Sequence, residues 1–344
     1  MNTTTEVPWQ NYVFVAVTVP SYLLYFSILW IIIGRRVVKK RYTSTFYSLV
    51  VSLGVADIFS TSAIFFLYIL RTCNVATSFY WNNSTWLAPL TYNSAIFGTM
   101  VRLFGALLIA LQRYTTVCFD NSAWSKRLSE LPLLIVFLIH WIPPILCSLP
   151  VSINLEKSFM GPNDMRIKIR SDDAQLASLL QNLFVFITFI ISAYCYIQIF
   201  RLLVRTKWST GSSRSREIRL SVVALGQGFS FLITFAYYLA QYIFSQTGSN
   251  LSNEIRPYFI FVTAFESYWN PWVYVALNAD LRSEFRRLYR KTRGQEESTV
   301  RRSIQSGTTN YTKDICTFIH ENSFLQLKLC SMKDFVSLSE VLSM

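Results

Sequence analysis

Charged residues are scarce in this chain of 344 residues, in which Asp, Glu, Lys and Arg together make up 15%. Soluble domains carry roughly 25% charged residues, so this composition argues against a soluble protein of this size. Only two histidines are present, which leaves little for general-base chemistry. No cluster of His, Cys or carboxylate residues has metal-ligand spacing. The sequence therefore predicts no catalytic site, no metal site and no cofactor.

Basic residues are missing from the N-terminal stretch MNTTTEVPWQ. A cleavable signal peptide begins with a basic region, so none is predicted, and the first apolar block is long enough to span a membrane. A sequence repeat of roughly 20 to 50 residues, which is typical of solenoid and array proteins, is also missing.

Apolar sequence, by contrast, is abundant, since 52% of the residues are hydrophobic. These residues fall in seven blocks, each long enough to cross a hydrocarbon core of about 30 Å at about 1.5 Å per helical residue. The blocks, numbered as spans 1 to 7, are roughly 12–34, 46–70, 91–118, 131–150, 176–204, 218–244 and 256–277. The sequence predicts an all-α membrane protein that folds as a bundle of seven transmembrane helices.

The net charge of +13 is concentrated in alternate connections between the spans. Basic runs lie at 35–41, 126–127, 201–219 and 282–293. Because Lys and Arg mark cytoplasmic loops, this pattern predicts an external N-terminus and an internal C-terminus. The connection at 151–175 fits imperfectly, since it holds four basic residues. Membrane lipid, and not nucleic acid, is the predicted partner of the basic loops.

Asn-X-Ser/Thr sequons agree with this topology. Four of them lie in segments predicted to be external, at Asn2, Asn82, Asn83 and Asn250, whereas Asn310 lies in an internal segment. Each sequon is weak alone because the pattern is short, but their joint placement supports the charge pattern. The four external asparagines are therefore predicted N-glycosylation sites.

The predicted organisation has four parts. They are an external N-terminus at 1–11, the bundle at 12–278, a cytoplasmic amphipathic helix at 279–293 and a cytoplasmic tail at 294–344. The tail begins rich in Ser, Thr and Arg, a composition typical of largely disordered and phosphorylated segments. Its apolar end, from Asp314, leaves three interpretations open: a surface helix, a partner-binding segment, or an artefact of coding-sequence assembly.

Charged residues inside the spans are few, and because they are costly in a membrane they are candidates for function. They are Asp57 in span 2, Arg102 in span 3 and Glu266 in span 7, with Arg113 at the inner end of span 3. Arg102 lies eleven residues before Arg113. That spacing is close to a whole number of helical turns, so both side chains are expected to face the bundle interior.

Several motifs, in order along the spans, resemble those of rhodopsin-like G-protein-coupled receptors. Span 2 contains SLGVADIF with Asp57, span 3 ends in LQRYTTVC, span 4 holds Trp141, and span 7 contains NPWVY at 270–274. The resemblance covers about residues 10–292. Within that family the aromatic-rich chain is most similar to the nematode serpentine chemoreceptors of class V or class X.

The resemblance implies a chemosensory receptor at the plasma membrane, in the cilium of a sensory neuron. Such a receptor binds a small external ligand, activates a heterotrimeric G protein and is not an enzyme. The residues assigned to its activation switch are Arg113, Tyr114, Asn270, Pro271 and Tyr274. Gln112 stands where the family has an acid beside Arg113, so that restraint is missing. Taken alone, Arg113 also fits a side chain that snorkels to the interface, and Pro271 fits a simple helix kink.

Arg102 departs most from the family pattern. In rhodopsin-like receptors this depth faces the span 2 aspartate, where a sodium ion often binds. Glu266 lies one turn before Asn270, at a similar depth. We therefore expect the Arg102 guanidinium to occupy that position and pair with Asp57, Glu266 or both, because an unpaired buried charge is costly. The alternative is that Arg102 reaches outward and holds an acidic ligand.

The ligand is expected to enter from outside between spans 3, 5, 6 and 7. Aromatic side chains chosen by depth as its lining are Tyr92, Phe97, Phe184, Phe186, Tyr238, Tyr242, Phe261 and Phe265. Such a lining favours small and largely apolar molecules held by few polar contacts.

The disulfide that usually ties span 3 to the second outer loop of the family has no counterpart here. Neither 151–175 nor the outer end of span 3 contains a cysteine. Cys73 and Cys147 are the two cysteines near the outer face and are the candidates for a different disulfide.

A channel or secondary transporter is the rival class, in which Asp57, Arg102 and Glu266 line a transport path. The odd number of spans, the lack of an inverted repeat and the motif around Arg113 argue against it. A membrane enzyme is a third class, which the lack of a catalytic cluster disfavours.

Overall fold

The structure is a computed structural model. It describes residues 9–39, 42–119, 122–153, 157–162, 164–169, 171–205, 228–244, 255, 258–279, 281–288 and 290. The chain divides into two compact units, Met1–Asn278 and Ala279–Met344. The first unit holds the bundle, and the described part of the second is helical over 281–288.

Seven long helices in the described part of the first unit correspond to the predicted spans. They are Trp9–Lys39, Thr45–Thr72, Ser84–Cys118, Leu133–Ser152, Ser171–Arg205, Gly228–Phe244 and Phe259–Leu277. The first five are long and apolar enough to cross a membrane. The sixth is shorter in its described part, and the seventh carries the polar residues Glu266 and Asn270. The predicted all-α class is confirmed.

Several helices extend beyond the apolar blocks that predicted them. Span 3 begins at Ser84 instead of near 91, and span 5 begins at Ser171 instead of near 176. Hydropathy detects only the part of a helix that crosses the hydrocarbon, so polar first turns escape it. Residues 218–227 of predicted span 6 lie outside the described residues.

Prolines occur inside four of the helices. They are Pro20 in span 1, Pro89 in span 3, Pro143, Pro144 and Pro150 in span 4, and Pro271 in span 7. Each removes a backbone hydrogen bond. Transmembrane helices tolerate this because neighbouring helices and hydroxyl side chains satisfy the freed carbonyl groups.

Span 2 contains a π-helical segment, Ile64–Ile69. Such segments widen the helix and often mark functional sites. The hydroxyl of Tyr80, which lies in the short helix Thr77–Asn82, donates a hydrogen bond to the carbonyl of Phe66 in this segment. Because the wide turn holds an extra residue, the side chains that follow, including Arg71, are rotated relative to a regular α-helix.

A β-hairpin between spans 4 and 5 was not predicted. Strand β1, Lys157–Gly161, pairs antiparallel with strand β2, Asp164–Ile169. Phe159 of β1 packs in a buried cluster with Tyr80, Leu87, Ala88 and Met165. The hairpin therefore covers the ends of spans 2 and 3, and we call this the hairpin end of the bundle. Arg113 lies at the opposite end.

Spans 2, 3 and 4 are joined by a buried polar chain. The Trp141 indole donates to the Ser52 hydroxyl at 3.1 Å, and Ser52 lies 2.6 Å from Nδ1 of His140. Nε2 of His140 lies 2.8 Å from the Val101 carbonyl, which only accepts. Nε2 therefore carries the proton and Nδ1 accepts from Ser52. Gly105 makes room for the ring, because a Cβ there would lie 2.5 Å from Nε2.

Large apolar side chains face outward around the bundle. Trp30 is 78% exposed and Leu134 is 71% exposed. A monomeric soluble protein rarely exposes large contiguous apolar patches. This surface therefore fits a hydrocarbon environment.

Candidate functional site

Arg102 lies in the interior of the bundle and is 2% exposed. Its Nε donates to the Gly98 carbonyl of its own helix at 3.0 Å. Its Nη1 donates to the Thr263 carbonyl at 3.0 Å and to the Ser267 hydroxyl at 2.6 Å. Its Nη2 lies 3.5 Å from the Glu266 carboxylate. One guanidinium thus connects span 3 to a full turn of span 7.

Spans 2 and 3 approach each other closely at Ser60 and Gly98, one turn before Arg102. A Cβ at Gly98 would lie 2.8 Å from the Ser60 hydroxyl oxygen. Ser60 in turn donates to the Gly98 carbonyl at 3.3 Å, the same carbonyl that Arg102 contacts. Gly98 is therefore required by packing, and its carbonyl orients the Arg102 side chain.

Asp57 is 1% exposed and is held by groups from two other helices. The Tyr25 hydroxyl of span 1 donates to its Oδ2, and Nδ2 of Asn270 in span 7 lies 3.3 Å from the same oxygen. The Tyr25 hydroxyl also lies 3.0 Å from the Ser267 carbonyl. Ser267 thus links the surroundings of Asp57 to those of Arg102.

The three predicted charges share one region but not one ion pair. Among the described ion pairs, Arg102 contacts Glu266 and not Asp57. Asp57 instead receives neutral hydrogen bonds. The orientation in which Arg102 reaches outward to a ligand is not the one observed, because its nitrogen atoms are bonded within spans 3 and 7. All three side chains are buried in the bundle, but burial alone does not select their partners.

The NPWVY segment lies in the second half of span 7. Asn270 is 5% exposed and Tyr274 is 2% exposed, and Pro271 lies inside the helix. Asn270 binds Asp57, and the Trp272 indole donates to the Ser21 hydroxyl of span 1 at 3.2 Å. The turn that contains the proline is therefore held by side chains from spans 1 and 2.

Arg113 is buried at the opposite end, with 2% exposure. Its Cζ lies 4.0 Å from the centre of the Phe46 ring in span 2, a cation–π contact. A snorkelling side chain would extend to the surface, which this one does not. Tyr114 points elsewhere, with its ring 5.9 Å from that of Tyr194 in span 5. The part of span 6 before Gly228 lies outside the described residues.

Some of the predicted ligand-lining side chains gather between spans 3, 5 and 6. Phe184 packs against two buried clusters, one containing Tyr238 and the other packed by Tyr92. The Tyr238 hydroxyl lies 3.1 Å from that of Thr99, which is three residues before Arg102 on span 3. Tyr92, Phe184 and Tyr238 therefore border one region beside the charge cluster. Tyr242 is half-buried one turn beyond Tyr238.

Other predicted lining residues point away from that region. The Phe97 ring lies 6.0 Å from both Phe59 and Trp141, between spans 2 and 4. Phe186 is 50% exposed, and the Phe261 ring lies 5.3 Å from that of Trp9 in span 1. Phe265 lies at the contact of spans 6 and 7, where its ring stacks on Trp269 and lies 6.4 Å from that of Phe229. Position along a span predicts how deep these side chains lie in the membrane, but it does not predict which face of the helix they occupy.

Cys73 and Cys147 are both free thiols, so the candidate disulfide is not formed. Cys73 packs with a cluster of spans 1, 2 and 7, and its Sγ lies 3.7 Å from Nδ2 of Asn11. Cys147 is exposed on span 4. Their different surroundings explain why proximity to the same end of the bundle does not bring the two sulfur atoms together.

Two buried basic residues that the sequence did not single out lie at the hairpin: Lys157 is the first residue of β1, and Arg71 contacts the ring of Phe159 in the same strand. Lys157, 3% exposed, donates from Nζ to Oδ1 of Asn93 at 2.9 Å and to the Val151 carbonyl at 2.7 Å. Arg71 is 4% exposed at the end of span 2. Hydropathy assigns both residues to connections, and only the unpredicted hairpin buries them. Burial raises the pKa of nearby Tyr80, and the charge of Arg71 opposes that rise.

A small cavity of about 20 Å³, which has room for about one water molecule, lies between spans 2, 3 and 7 towards the hairpin end. Its lining consists of Ala63, Ile64, Tyr68, Thr91, Ser94, Ala95, Phe259 and Ile260. None of these was among the predicted lining residues. Two of them, Ile64 and Tyr68, belong to the π-helical segment, which hydropathy cannot reveal.

The two adjacent sequons differ in their surroundings. Asn82 is exposed, whereas Nδ2 of Asn83 donates to the Phe79 carbonyl at 2.9 Å. Oδ1 of Asn83 accepts from the Trp86 indole at 3.2 Å. Asn2 and Asn250 lie outside the described residues.

Comparison with known proteins identifies the family. The family model of the serpentine type 7TM GPCR chemoreceptor Srv matches residues 14–291, and no curated protein matches the chain. This match covers most of the sequence and includes every motif that suggested the resemblance. It confirms a multi-pass membrane protein with seven spans, and it selects class V from the two predicted groups. The chain belongs to the family of serpentine type 7TM GPCR chemoreceptors Srv.

Proposed function

We propose that this chain is a chemosensory receptor that binds a small external ligand and activates a heterotrimeric G protein. The hairpin end faces outside and the Arg113 end faces the cytoplasm, as the basic loops predict. The receptor has no catalytic activity of its own. The observation that carries this proposal is the buried polar network of Arg102, Glu266, Ser267 and Asp57, which lies between the two ends of the bundle.

Ligand binding is proposed to act first on spans 3 and 6. The hydroxyl contact between Tyr238 and Thr99 links these helices beside the aromatic region. A ligand that displaces Tyr238 shifts the balance between arrangements of spans 3 and 6, because it favours the one that accommodates it. Thr99 precedes Arg102 by three residues, so movement of this turn reaches the charge cluster directly.

The charge cluster is proposed to pass the movement to span 7. Arg102 holds Thr263, Glu266 and Ser267 in the turn before Asn270 and Pro271. A proline lowers the cost of bending there because one backbone hydrogen bond is already missing. The Arg102 guanidinium is proposed to take the place of the sodium ion that related receptors often bind at this depth.

Arg113 is proposed to complete the switch at the cytoplasmic end. In the observed state its guanidinium lies against Phe46, without the acid that the family places before it. Opening of the bundle would let this cation exchange an aromatic face for acceptors on the G protein, as two-state switches do.

The proposal is tested in cells that express the receptor with a promiscuous G protein and a calcium reporter, challenged with a panel of volatile odorants. We expect calcium signals that require both the receptor and the G protein. Whole-cell current in response to the same odorants, in cells without the G protein, would contradict the proposal and favour the channel. Arg102 and Glu266 pair with each other in the observed structure. A conducting path through this region would require that ion pair to separate.

Residence in the plasma membrane of sensory cilia is also proposed, from the family alone. A fluorescently tagged receptor expressed under its own promoter should accumulate in cilia. Uniform retention in internal membranes of the expressing cell would contradict it.

A further inference from the structure

The π-helical segment Ile64–Ile69 of span 2 is held by a contact from outside that helix. The Leu70 amide bonds to the Phe65 carbonyl, five residues back, which is the hydrogen bond of a π-helix. The Tyr80 hydroxyl donates to the neighbouring Phe66 carbonyl. An α-helical form of the same segment would hold one residue fewer in this turn. Tyr80 therefore stabilises the observed π-helical register.

Arg71 follows this segment and is the first of two buried groups that the observed register leaves unsatisfied. It is 4% exposed, and its Nε and Nη1 have no hydrogen-bond acceptor among the described residues. Its Cζ lies 5.4 Å from the centre of the Tyr68 ring and 5.1 Å from that of Phe159 in the hairpin. These cation–π contacts offset part of the cost of burial, but they leave the N–H groups without an acceptor oxygen.

Asn11 in span 1 is the second of these groups. It is 2% exposed, and its Nδ2 donates to the Thr72 hydroxyl at 2.9 Å and lies 3.7 Å from Sγ of Cys73. Its Oδ1 is buried and has no donor in the described part of the chain. The amide thus faces the two residues that directly follow Arg71. Donors without an acceptor and an acceptor without a donor are separated by one residue along span 2.

A shift of one residue would match these two groups. In the α-helical register, every residue after the segment moves one place along the helix, through about 100° and about 1.5 Å. Arg71 then takes the place of Thr72, against Asn11, where its N–H groups can reach Oδ1. Thr72 takes the place of Cys73, where its hydroxyl can still accept from Nδ2 of Asn11.

The same shift would put an apolar residue beside the hairpin. Leu70 takes the place of Arg71 next to Phe159, and it already packs against the cluster to which Phe159 belongs. A leucine needs no acceptor there. In the connection that follows, Ala76 has a φ of 55°, a region that residues with a Cβ disfavour. Rearrangement of this connection therefore gives up no favourable backbone conformation at Ala76.

We propose that the hairpin end of span 2 switches between two registers. In the observed π-helical register, Arg71 is held by Phe159 of the hairpin. In the α-helical register, Arg71 is held by Asn11 of span 1. The register sets how firmly the hairpin is held, because only the first one has the cation–π contact to Phe159. This switch goes beyond the proposed function, since it depends neither on the G protein nor on a ligand at Tyr238.

Cys73 reports the register. It is half-buried, and in the α-helical register it takes the place of Asn74, which is exposed. The rate at which a water-soluble maleimide alkylates Cys73 therefore measures the population of that register. The rate is measured on the full-length receptor in phosphatidylcholine nanodiscs, by mass spectrometry of the peptide that contains Cys73.

Asn11→Asp should raise this rate about 10-fold, because a carboxylate binds the Arg71 guanidinium more strongly than an amide does. Arg71→Met should lower the rate, and Asn11→Asp combined with Arg71→Met should stay at the low rate, because methionine has no donor. A rate in Asn11→Asp equal to that of the parent would overturn the proposal. An equal rise with and without Arg71 would also overturn it, since the end of span 2 would then open without the guanidinium.

Tyr80→Phe tests the switch through the loss of one hydroxyl, and it decides if Asn11→Asp does not fold. It should raise the alkylation rate of Cys73 about 5-fold, the equivalent of one hydrogen bond. Adding Arg71→Met should slow the reaction again, whereas simple fraying of the helix end would be unaffected by that change. Tyr12→Phe is the matched control, because Tyr12 is 65% exposed in span 1. Equal rates for Tyr80→Phe and Tyr12→Phe would refute the proposal.

Discussion

Nη2 of Arg102 and Oε2 of Glu266 lie 3.5 Å apart in the interior of the bundle, and both residues are at most 5% exposed. The pair joins spans 3 and 7 at the turn before Asn270 and Pro271. Replacing one member of a buried pair leaves the other uncompensated, which typically costs about 3–5 kcal/mol, whereas replacing both with apolar residues costs far less.

The first prediction follows from this difference between removing one member of the ion pair and removing both. Arg102→Met and Glu266→Leu should each lower the melting temperature of the purified receptor, and the double variant should melt above Arg102→Met alone. Intrinsic tryptophan fluorescence during heating measures this. Additive losses in the double variant would show that the two side chains are energetically independent.

Packing around His140 gives the second prediction. A Cβ at Gly105 would lie 2.5 Å from Nε2 of His140 and 2.9 Å from Cδ1 of Leu53. Gly105→Ala should therefore destabilise the bundle by about 1–3 kcal/mol through overpacking. Gly34→Ala is the matched control, since its Cβ would meet nothing within 4 Å. Equal melting temperatures for the two variants would contradict the observed contact.

The hairpin anchor gives the third prediction. Lys157→Met removes both hydrogen bonds that hold the hairpin to Asn93 and Val151. Amides of 157–169 should then exchange hydrogen at least about 10-fold faster, because local opening becomes easier. Lys168→Met, at an exposed position of the same hairpin, should leave exchange unchanged. Similar exchange in both variants would show that Lys157 does not anchor the hairpin.

Glycosylation at the hairpin end gives the fourth prediction. The glycan is attached through Nδ2, which is engaged in Asn83 and exposed in Asn82. Asn82→Gln should remove a glycan, seen as loss of a mobility shift on treatment with an endoglycosidase, whereas Asn83→Ala should not. Asn83→Ala retains the Asn82 sequon. Loss of the mobility shift in Asn83→Ala, but not in Asn82→Gln, would show that the glycan is attached to Asn83 instead.

Hydropathy predicted the bundle well because the cost of exposing polar groups to hydrocarbon constrains composition along every span. The same cost made Asp57, Arg102 and Glu266 conspicuous, and all three are buried. The burial of these three side chains inside the bundle could therefore be predicted from the sequence.

Partners and faces were not readable in the same way. Whether Arg102 pairs with Glu266 or Asp57 depends on the rotation of three helices, and the side on which Phe97 lies depends on rotation of span 3. The hairpin and the π-helical segment arise from local pairing that a hydropathy pattern does not encode. Arg71 stands one residue beyond predicted span 2, so only the structure reveals it as a buried cation.

Signalling through Arg113 is the central claim, and its most direct test is ligand-evoked separation of Gα from Gβγ, measured by resonance energy transfer in receptor-expressing cells. With an odorant that activates the parent, Arg113→Ala should lose at least about 90% of the response at equal surface expression, because the buried cation of the switch is gone. Arg127→Ala, which removes an exposed cation from the connection after span 3, should respond normally. A full response from Arg113→Ala would contradict the account.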